Sequence, residues 1–211
     1  MVTPVEAMSG LRLGELAPPD RPYVVTNMVM TLDGRAAIDG RAGPIGDEVD
    51  RELFHELRTQ VDAVLVGAGT VRAENYGRLV EDPDRRARRE REGLAPDPVA
   101  LIATHSGQAA LRDQEATLLE PNPETLRALR EERGIRSILC EGGPTLNASM
   151  LDAGLVDELF LSLAPKLSGG GVEPGIVHGP GLPEALELEL VSVYESESSL
   201  FLRYRLSGRG S

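Results

Sequence analysis

Cysteine and aromatic residues are scarce in this 211-residue sequence: Cys140 stands alone, tryptophan is missing, and phenylalanine and tyrosine together make up 3 %. One thiol permits neither an intrachain disulfide nor a cysteine-built zinc cluster, which points to a reducing, cytoplasmic setting. Lysine is nearly absent too, Lys166 being the single one among 22 basic residues. The longest apolar run, near residues 61–69, falls well short of the roughly 20 residues that span a bilayer. The first twenty residues carry Glu6, Glu15, Asp20 and several prolines in place of a basic stretch and an apolar one, so no signal peptide is expected. Positive charge is outweighed as well: 22 Lys+Arg against 34 Asp+Glu leave a formal charge of −12. That sign repels nucleic-acid backbones and anionic membranes alike. What is present is enough apolar material, 41 %, to bury a core, which excludes wholesale disorder.

Residues 1–20 show little periodicity and read as an extended N-terminal arm, leaving one domain over 21–211. β-Branched and apolar residues at 22–29 predict a buried strand. Asp33-Gly34 predicts a turn, with a short extended piece at 36–38 before a second turn at Asp39-Gly40. Asp47 is placed to cap a helix running through Arg58, with Val49, Leu53, Phe54 and Leu57 on its apolar face. Further strands are expected at 61–66, 99–103, 116–119, 136–140 and 157–163. Helices are expected just after residue 69, at 124–133 and at 145–153, and two late strands near 185–194 and 199–206. Residues 81–97, rich in Arg, Glu, Asp and Pro, read as an exposed charged loop or helical turn outside the core. Alternation of strand and helix implies an α/β fold with a mostly parallel central sheet and antiparallel C-terminal strands.

In such a sheet, ligands sit beyond the carboxyl ends of the strands. Three of those ends run into small or hydroxyl residues: Gly67-Ala68-Gly69-Thr70, Thr104 to Gly107, and Glu141-Gly142-Gly143-Pro144-Thr145. Glycine lets a ligand approach the backbone, and a helix starting there offers free N–H groups to an anion. Loops of this kind on one rim suggest a phosphate-bearing ligand such as a dinucleotide, although each glycine also reads as a tight turn or a packing position. The Rossmann fingerprint is absent, because Arg72 occupies the place of its third glycine, and so is the P-loop. His55, His105 and His178 have no metal-site spacing, and no G-x-S-x-G elbow exists, so neither a metal nor a Ser-His-Asp triad is expected. Asp33 reads as well as a turn-former as a reacting acid, and Arg58 as a complement to its helix dipole.

Residues 27–35 (NMVMTLDGR), 66–71 (VGAGTV), 139–146 (LCEGGPTL), 154–158 (GLVDE) and 164–169 (APKLSG) together resemble the reductase domain of riboflavin biosynthesis, over residues 21–206. The resemblance implies the dihydrofolate-reductase fold, a three-layer sandwich. It implies a homodimer in which NADPH reduces the ribose of a phosphorylated pyrimidine, 5-amino-6-(5-phosphoribosylamino)uracil, to a ribityl chain. Bifunctional members also carry a zinc deaminase, for which this sequence has neither P-C-x-x-C nor H-x-E. By the resemblance Thr70 and Glu74 lie near the nicotinamide half, with Gly67, Gly69 and Val71 in the same cofactor-binding motif. Thr104, Ser106 and Gly107 flank the adenosine ribose, and Gly142, Gly143, Pro144 and Thr145 cradle the pyrophosphate. Asn27, Thr31 and Asp33 line the pocket where nicotinamide meets substrate. Arg58 reaches the substrate phosphate, a role its forked donors suit. Asp33 and Glu141 are the candidate proton relays, with solvent water as a third.

Lys166 matches a family lysine that serves either as a structural staple or as a ligand contact. Departures from the family pattern fall on the substrate side. Glu74-Asn75-Tyr76-Gly77 stands where Asp and then Asn-Pro or Asp-Pro is usual, Leu79-Val80-Glu81-Asp82 replaces Leu-Thr-x-Arg, and Ala42 replaces a substrate-holding serine. A reductase of a pterin or another heterocycle, and a non-catalytic dinucleotide-binding dimer scaffold, are the alternatives.

Overall fold

The computed structural model describes residues 2–105, 107–169 and 173–207. These form an eight-stranded sheet in the order β4-β3-β2-β5-β1-β6-β8-β7. Strands β1 (Tyr23–Thr31), β2 (Ala63–Gly67), β3 (Val99–Ala103), β4 (Ala116–Leu119), β5 (Ser137–Cys140) and β6 (Glu158–Ala164) run parallel. Strands β7 (Leu188–Ser196) and β8 (Ser199–Leu206) add an antiparallel hairpin at the β6 side.

Period-two alternation sends strand side chains to opposite faces. On one face Val64, Val66 and Leu139 meet Leu53 and Leu57 of α2 (Glu48–Arg58) and Val71 of α3 (Ala68–Ala73). On the other, Ala63, Leu65, Ile138 and Cys140 meet Leu126 and Leu129 of α5 (Pro123–Arg133) and Leu146 and Met150 of α6 (Pro144–Asp152). The outcome is a helix–sheet–helix sandwich. Complete burial pushes the Cys140 thiol up to about 11, so it is a packing residue and no nucleophile at neutral pH. Local signals act as read: the Asp47 carboxylate accepts from the Asp50 N–H at 2.8 Å to start α2, and Gly134, at φ 67°, closes α5.

Three expectations need correction. Residues 1–20 are no loose arm. They contain α1 (Pro4–Ala7) and a 3-10 turn at Leu13–Leu16, and they bury Met8 and Leu13 in the α2 layer. Gln60 fastens them, donating to Met8 O at 2.8 Å and accepting from Leu11 N at 2.7 Å. Residues 36–38 form no strand, only an isolated bridge between Ile38 and Arg41.

The charged stretch 81–97 folds as α4 (Pro83–Arg91) and reaches inward. Arg89 is fully buried and donates to the carbonyls of Arg58, Val61 and Ala95 at 2.8 Å each. It ties α4 to the α2–β2 connection, and composition alone hides this because one buried arginine looks like its solvated neighbours. Burial brings its pKa down to about 10. Replacing Arg89 by Met keeps the stem but strands three carbonyls, so urea unfolding should show a loss of about 2–4 kcal/mol.

Candidate active site

After β2 the chain passes to α3 on one face, and after β5 to α6 on the other. Neighbouring strands whose continuations part in this way open a crevice between them. The lip of the crevice is backbone on backbone: Gly67 N donates to Gly142 O at 2.6 Å and Glu141 N to Leu65 O at 2.9 Å. A Cβ on Gly67 would stand 3.3 Å from Gly142 O and Gly143 N, and one on Gly143 only 2.9 Å from Thr70 Oγ1. Gly142 has φ +75°, and a Cβ there would press Met28 Sδ at 3.0 Å. Close approach, and not turn-making alone, requires glycine here.

From this lip a cavity of about 920 Å³ runs over the strand ends. One end is Thr104, His105, Glu120 and Pro121, beyond β3 and β4; the middle is Gly67, Gly69, Thr70, Glu74, Gly143, Pro144 and Thr145. The other end is Asn27 and Val29 of β1 with Asp50, Arg51 and Phe54 of α2. From β4 to β1 is four strand spacings, about 19 Å, so the cavity is a trough suited to an elongated ligand. The middle fits a pyrophosphate: α6 begins on Gly143 with no side-chain cap, which leaves its first amides for an anion. At the β1 end Asn27 Oδ1 is buried without a hydrogen-bond partner, an acceptor available to a ligand. Glu74 accepts from Ala42 N at 2.8 Å and holds residues 41–43 at the rim, with Arg41 at 3.7 Å.

Arg58 lies behind the trough wall and not on it. Its Nε and Nη2 donate to Glu141 Oε1 and Oε2 at 2.6 and 2.8 Å, and its Nη1 to Leu79 O at 2.9 Å. The Phe54 and Tyr76 rings flank the guanidinium at 4.1 and 5.2 Å. Tyr76 also donates its hydroxyl to Glu141 Oε2 at 2.8 Å. Burial, reinforced by the Glu141 charge, pushes the Tyr76 phenol well above its usual range. Burial alone would lower the Arg58 pKa, but the Glu141 charge and hydrogen bonds outweigh it and the pKa is raised. Arg58, expected at the substrate phosphate, here directs three N–H donors at Glu141 and Leu79, and the Glu141 side chain is itself 1 % exposed beside the trough.

Asp33 and Thr31 are also away from the wall. Asp33 Oδ1 accepts from the Thr31 hydroxyl at 2.6 Å, and its carboxylate receives the N–H groups of Ser168 and Gly169 at 3.2 and 2.8 Å. Those bonds hold its carboxyl at about 2, so Asp33 carries no proton to relay at neutral pH and instead fastens the loop after β6. Lys166 is a staple in that loop, donating to Pro44 O and Ile45 O at 2.8 Å. Of the other expected residues, Val71 is core, Gly142 lies just under the lip, Gly107 is off the wall, and Ser106 lies outside the described residues. Sequence reasoning missed Asp50 and Arg51 and used Phe54 only as core. The signal was the spacing Asp50, Phe54, Arg58, one face of α2 at intervals of four.

Residues 22–202 match the family model described as the RibD C-terminal domain. The chain belongs to that family. Its relatives include a Methanothermobacter thermautotrophicus protein named 2,5-diamino-6-ribosylamino-4(3H)-pyrimidinone 5′-phosphate reductase, 32 % identical over 89 % of this chain and 100 % of the relative. The riboflavin biosynthesis protein RibD of Mycobacterium tuberculosis is 34 % identical over 72 % of this chain but 44 % of its own length. Among solved structures, a pyrimidine reductase-like protein from Corynebacterium diphtheriae superposes with a TM-score of 0.78 at 22 % identity, covering 96 % of both chains. Dihydrofolate reductase from Enterococcus faecalis, solved with NADP(H), gives 0.56 at 14 % identity, over 87 % of this chain and 96 % of that one. These two establish the dihydrofolate-reductase-like fold. Among the described residues no cluster of three His, Cys, Asp or Glu is placed to hold a metal ion, and no helix is long and apolar enough to cross a membrane.

Proposed function

We propose that the protein is a reductase of riboflavin biosynthesis that uses NADPH to convert the ribosylamino group of a 5′-phosphorylated aminopyrimidine into a ribitylamino group. The observation that carries this is the continuous trough from Thr104 to Asn27, with its glycine lip midway and an unpaired acceptor at the β1 end. The names of the family relatives support it. When bound, the nicotinamide would supply a hydride for C1′ of the opened ribosylimine, whose nitrogen takes its proton from water. The chain's own contribution is alignment, which can be worth roughly 7–11 kcal/mol. Gly67, Gly69, Gly143 and the α6 amides would hold the pyrophosphate, and Thr70 and Glu74 would stand toward the nicotinamide. Arg72 is the wall cation for a 2′-phosphate, and Arg51, at the β1 end, replaces Arg58 as the cation for the substrate phosphate. Glu141, kept in orientation by Arg58 and Tyr76, is a wall residue of the same trough.

Purified protein should oxidise NADPH when the ribosylaminopyrimidine phosphate is supplied, and mass spectrometry should find the ribityl product. Turnover of a pterin alone would favour a reductase of another heterocycle, and binding without turnover the scaffold. A homodimer belongs to the same reading: β7 is the outer strand of the sheet and exposes Leu188, Leu190, Val191 and Val193, an edge that asks for cover. Light scattering should find a dimer, and Val193→Lys a monomer. A cytoplasmic location fits the reduced, buried Cys140.

A further inference from the structure

We infer that Asp50 selects the substrate's ring, favouring a pyrimidinone with an amino group beside its ring N–H over the uracil that has a carbonyl there. The inference rests on the reductase reading above and names the group that reads the heterocycle.

Asp50 sits in the first turn of α2 and lines the β1 end of the trough beside Asn27, Val29 and Phe54. Ser162 of β6, in register with Val29 on the neighbouring strand β1, turns its hydroxyl toward the carboxylate. The carboxylate packs closely on the backbone before α2: a Cβ on Gly46 would collide with Asp50 Oδ2 in the position it holds here. The other acids on the wall are engaged. Glu141 is held by Arg58, Glu74 by Ala42 N and Arg41, Glu120 by His105, and Glu173 by Gly40 N. Among the described residues Asp50 has one neutral hydroxyl as its side-chain donor, and a carboxylate has about four acceptor positions. Asn27 Oδ1, on the same stretch of wall, is a second acceptor with no donor. Beside the cation Arg51, this end of the trough therefore presents two acceptors, the Asp50 carboxylate and Asn27 Oδ1, to donors that a ligand would bring.

A 2-amino-pyrimidin-4(3H)-one presents two adjacent donors, N3–H and the 2-amino group, which one carboxylate accepts side by side. The uracil presents N3–H between two carbonyls, so one carboxylate oxygen would face a carbonyl oxygen. Burial holds the Asp50 carboxyl above its ordinary range. The Ser162 hydroxyl opposes that shift, Asp47 adds to it, and Arg51 and Lys166 oppose it more weakly. A carboxyl kept in a cavity at such a cost is characteristic of a functional position.

The test is steady-state kinetics with both 5′-phosphates, 2,5-diamino-6-ribosylaminopyrimidinone and 5-amino-6-ribosylaminouracil, on the wild type, Asp50→Asn and Asp50→Ala. The wild type should favour the 2-amino ring by about 10- to 100-fold in kcat/KM, the worth of one charge-assisted hydrogen bond. Asp50→Asn offers one acceptor and one donor, and should lose or reverse that preference, mainly through KM. Asp50→Ala should lose it too. Because burial disfavours the charge that is removed, the Asn variant should melt at or above the wild-type temperature, which separates ring selection from a folding defect. A ratio unchanged by both substitutions, or a wild type that prefers the uracil, overturns the role of Asp50 and leaves the reductase reading standing. No turnover of either ring by the wild type overturns that reading and this inference with it.

Discussion

Arg58→Ala should lower folding stability by about 3–5 kcal/mol and take most of the turnover with it. The side chains of Arg58 and Glu141 are 7 % and 1 % exposed, so truncating one leaves the other's charge buried without its partner, the costly way to break such a pair. Tyr76 cannot take over, because its one hydroxyl hydrogen is already directed at Glu141. Denaturant unfolding gives the first number, and kcat with saturating substrate and dinucleotide the second. The double variant Arg58→Met with Glu141→Gln removes both charges and should regain a good part of the stability but none of the turnover. A stable single variant that loses only affinity for the phosphorylated substrate would return Arg58 to the phosphate site.

Gly143→Ala should weaken dinucleotide binding by about 10- to 100-fold, or about 1.4–2.8 kcal/mol. The added carbon has nowhere to go: Thr70 Oγ1 is 2.9 Å away, so either Thr70 turns or the first turn of α6 shifts. Both moves disturb the pair of loops that form the lip. Calorimetry with NADPH reads the effect directly, and the melting temperature without ligand should fall far less than the affinity. Unchanged affinity would mean that the dinucleotide does not lie across this lip.

Much of the fold was legible because its signals are local. Residues 99–103, 116–119 and 199–206 were read as strands over the same bounds that β3, β4 and β8 have, since short runs rich in apolar and aromatic residues stand out between polar loops. Asp47 and Gly134 marked helix ends through chemistry that needs no tertiary context. The glycine-bearing loops were legible as a rim for the same reason. What stayed hidden depends on partners distant in sequence. Nothing near Arg58 says that Glu141, 83 residues on, meets it at 2.6 Å, and nothing near Asp33 says that the amides of Ser168 and Gly169 claim its carboxylate. Arg89 shows the same blindness from the other side, an internal anchor in a stretch whose composition reads as surface. Asp50 was missed because a carboxylate in a helix's first turn looks like dipole complementation until the trough in front of it is seen.

The docking of Met8 and Leu13 against Leu53 and Leu57 has a practical consequence for where this protein can be cut. The family model starts at residue 22, yet the residues before it cover the back of the helix that carries Asp50, Phe54 and Arg58. A version trimmed to the start of the family model would strip the back of that helix and loosen the wall residues Asp50 and Phe54 together with the arginine behind them, so the span a family shares and the span this fold needs are not the same.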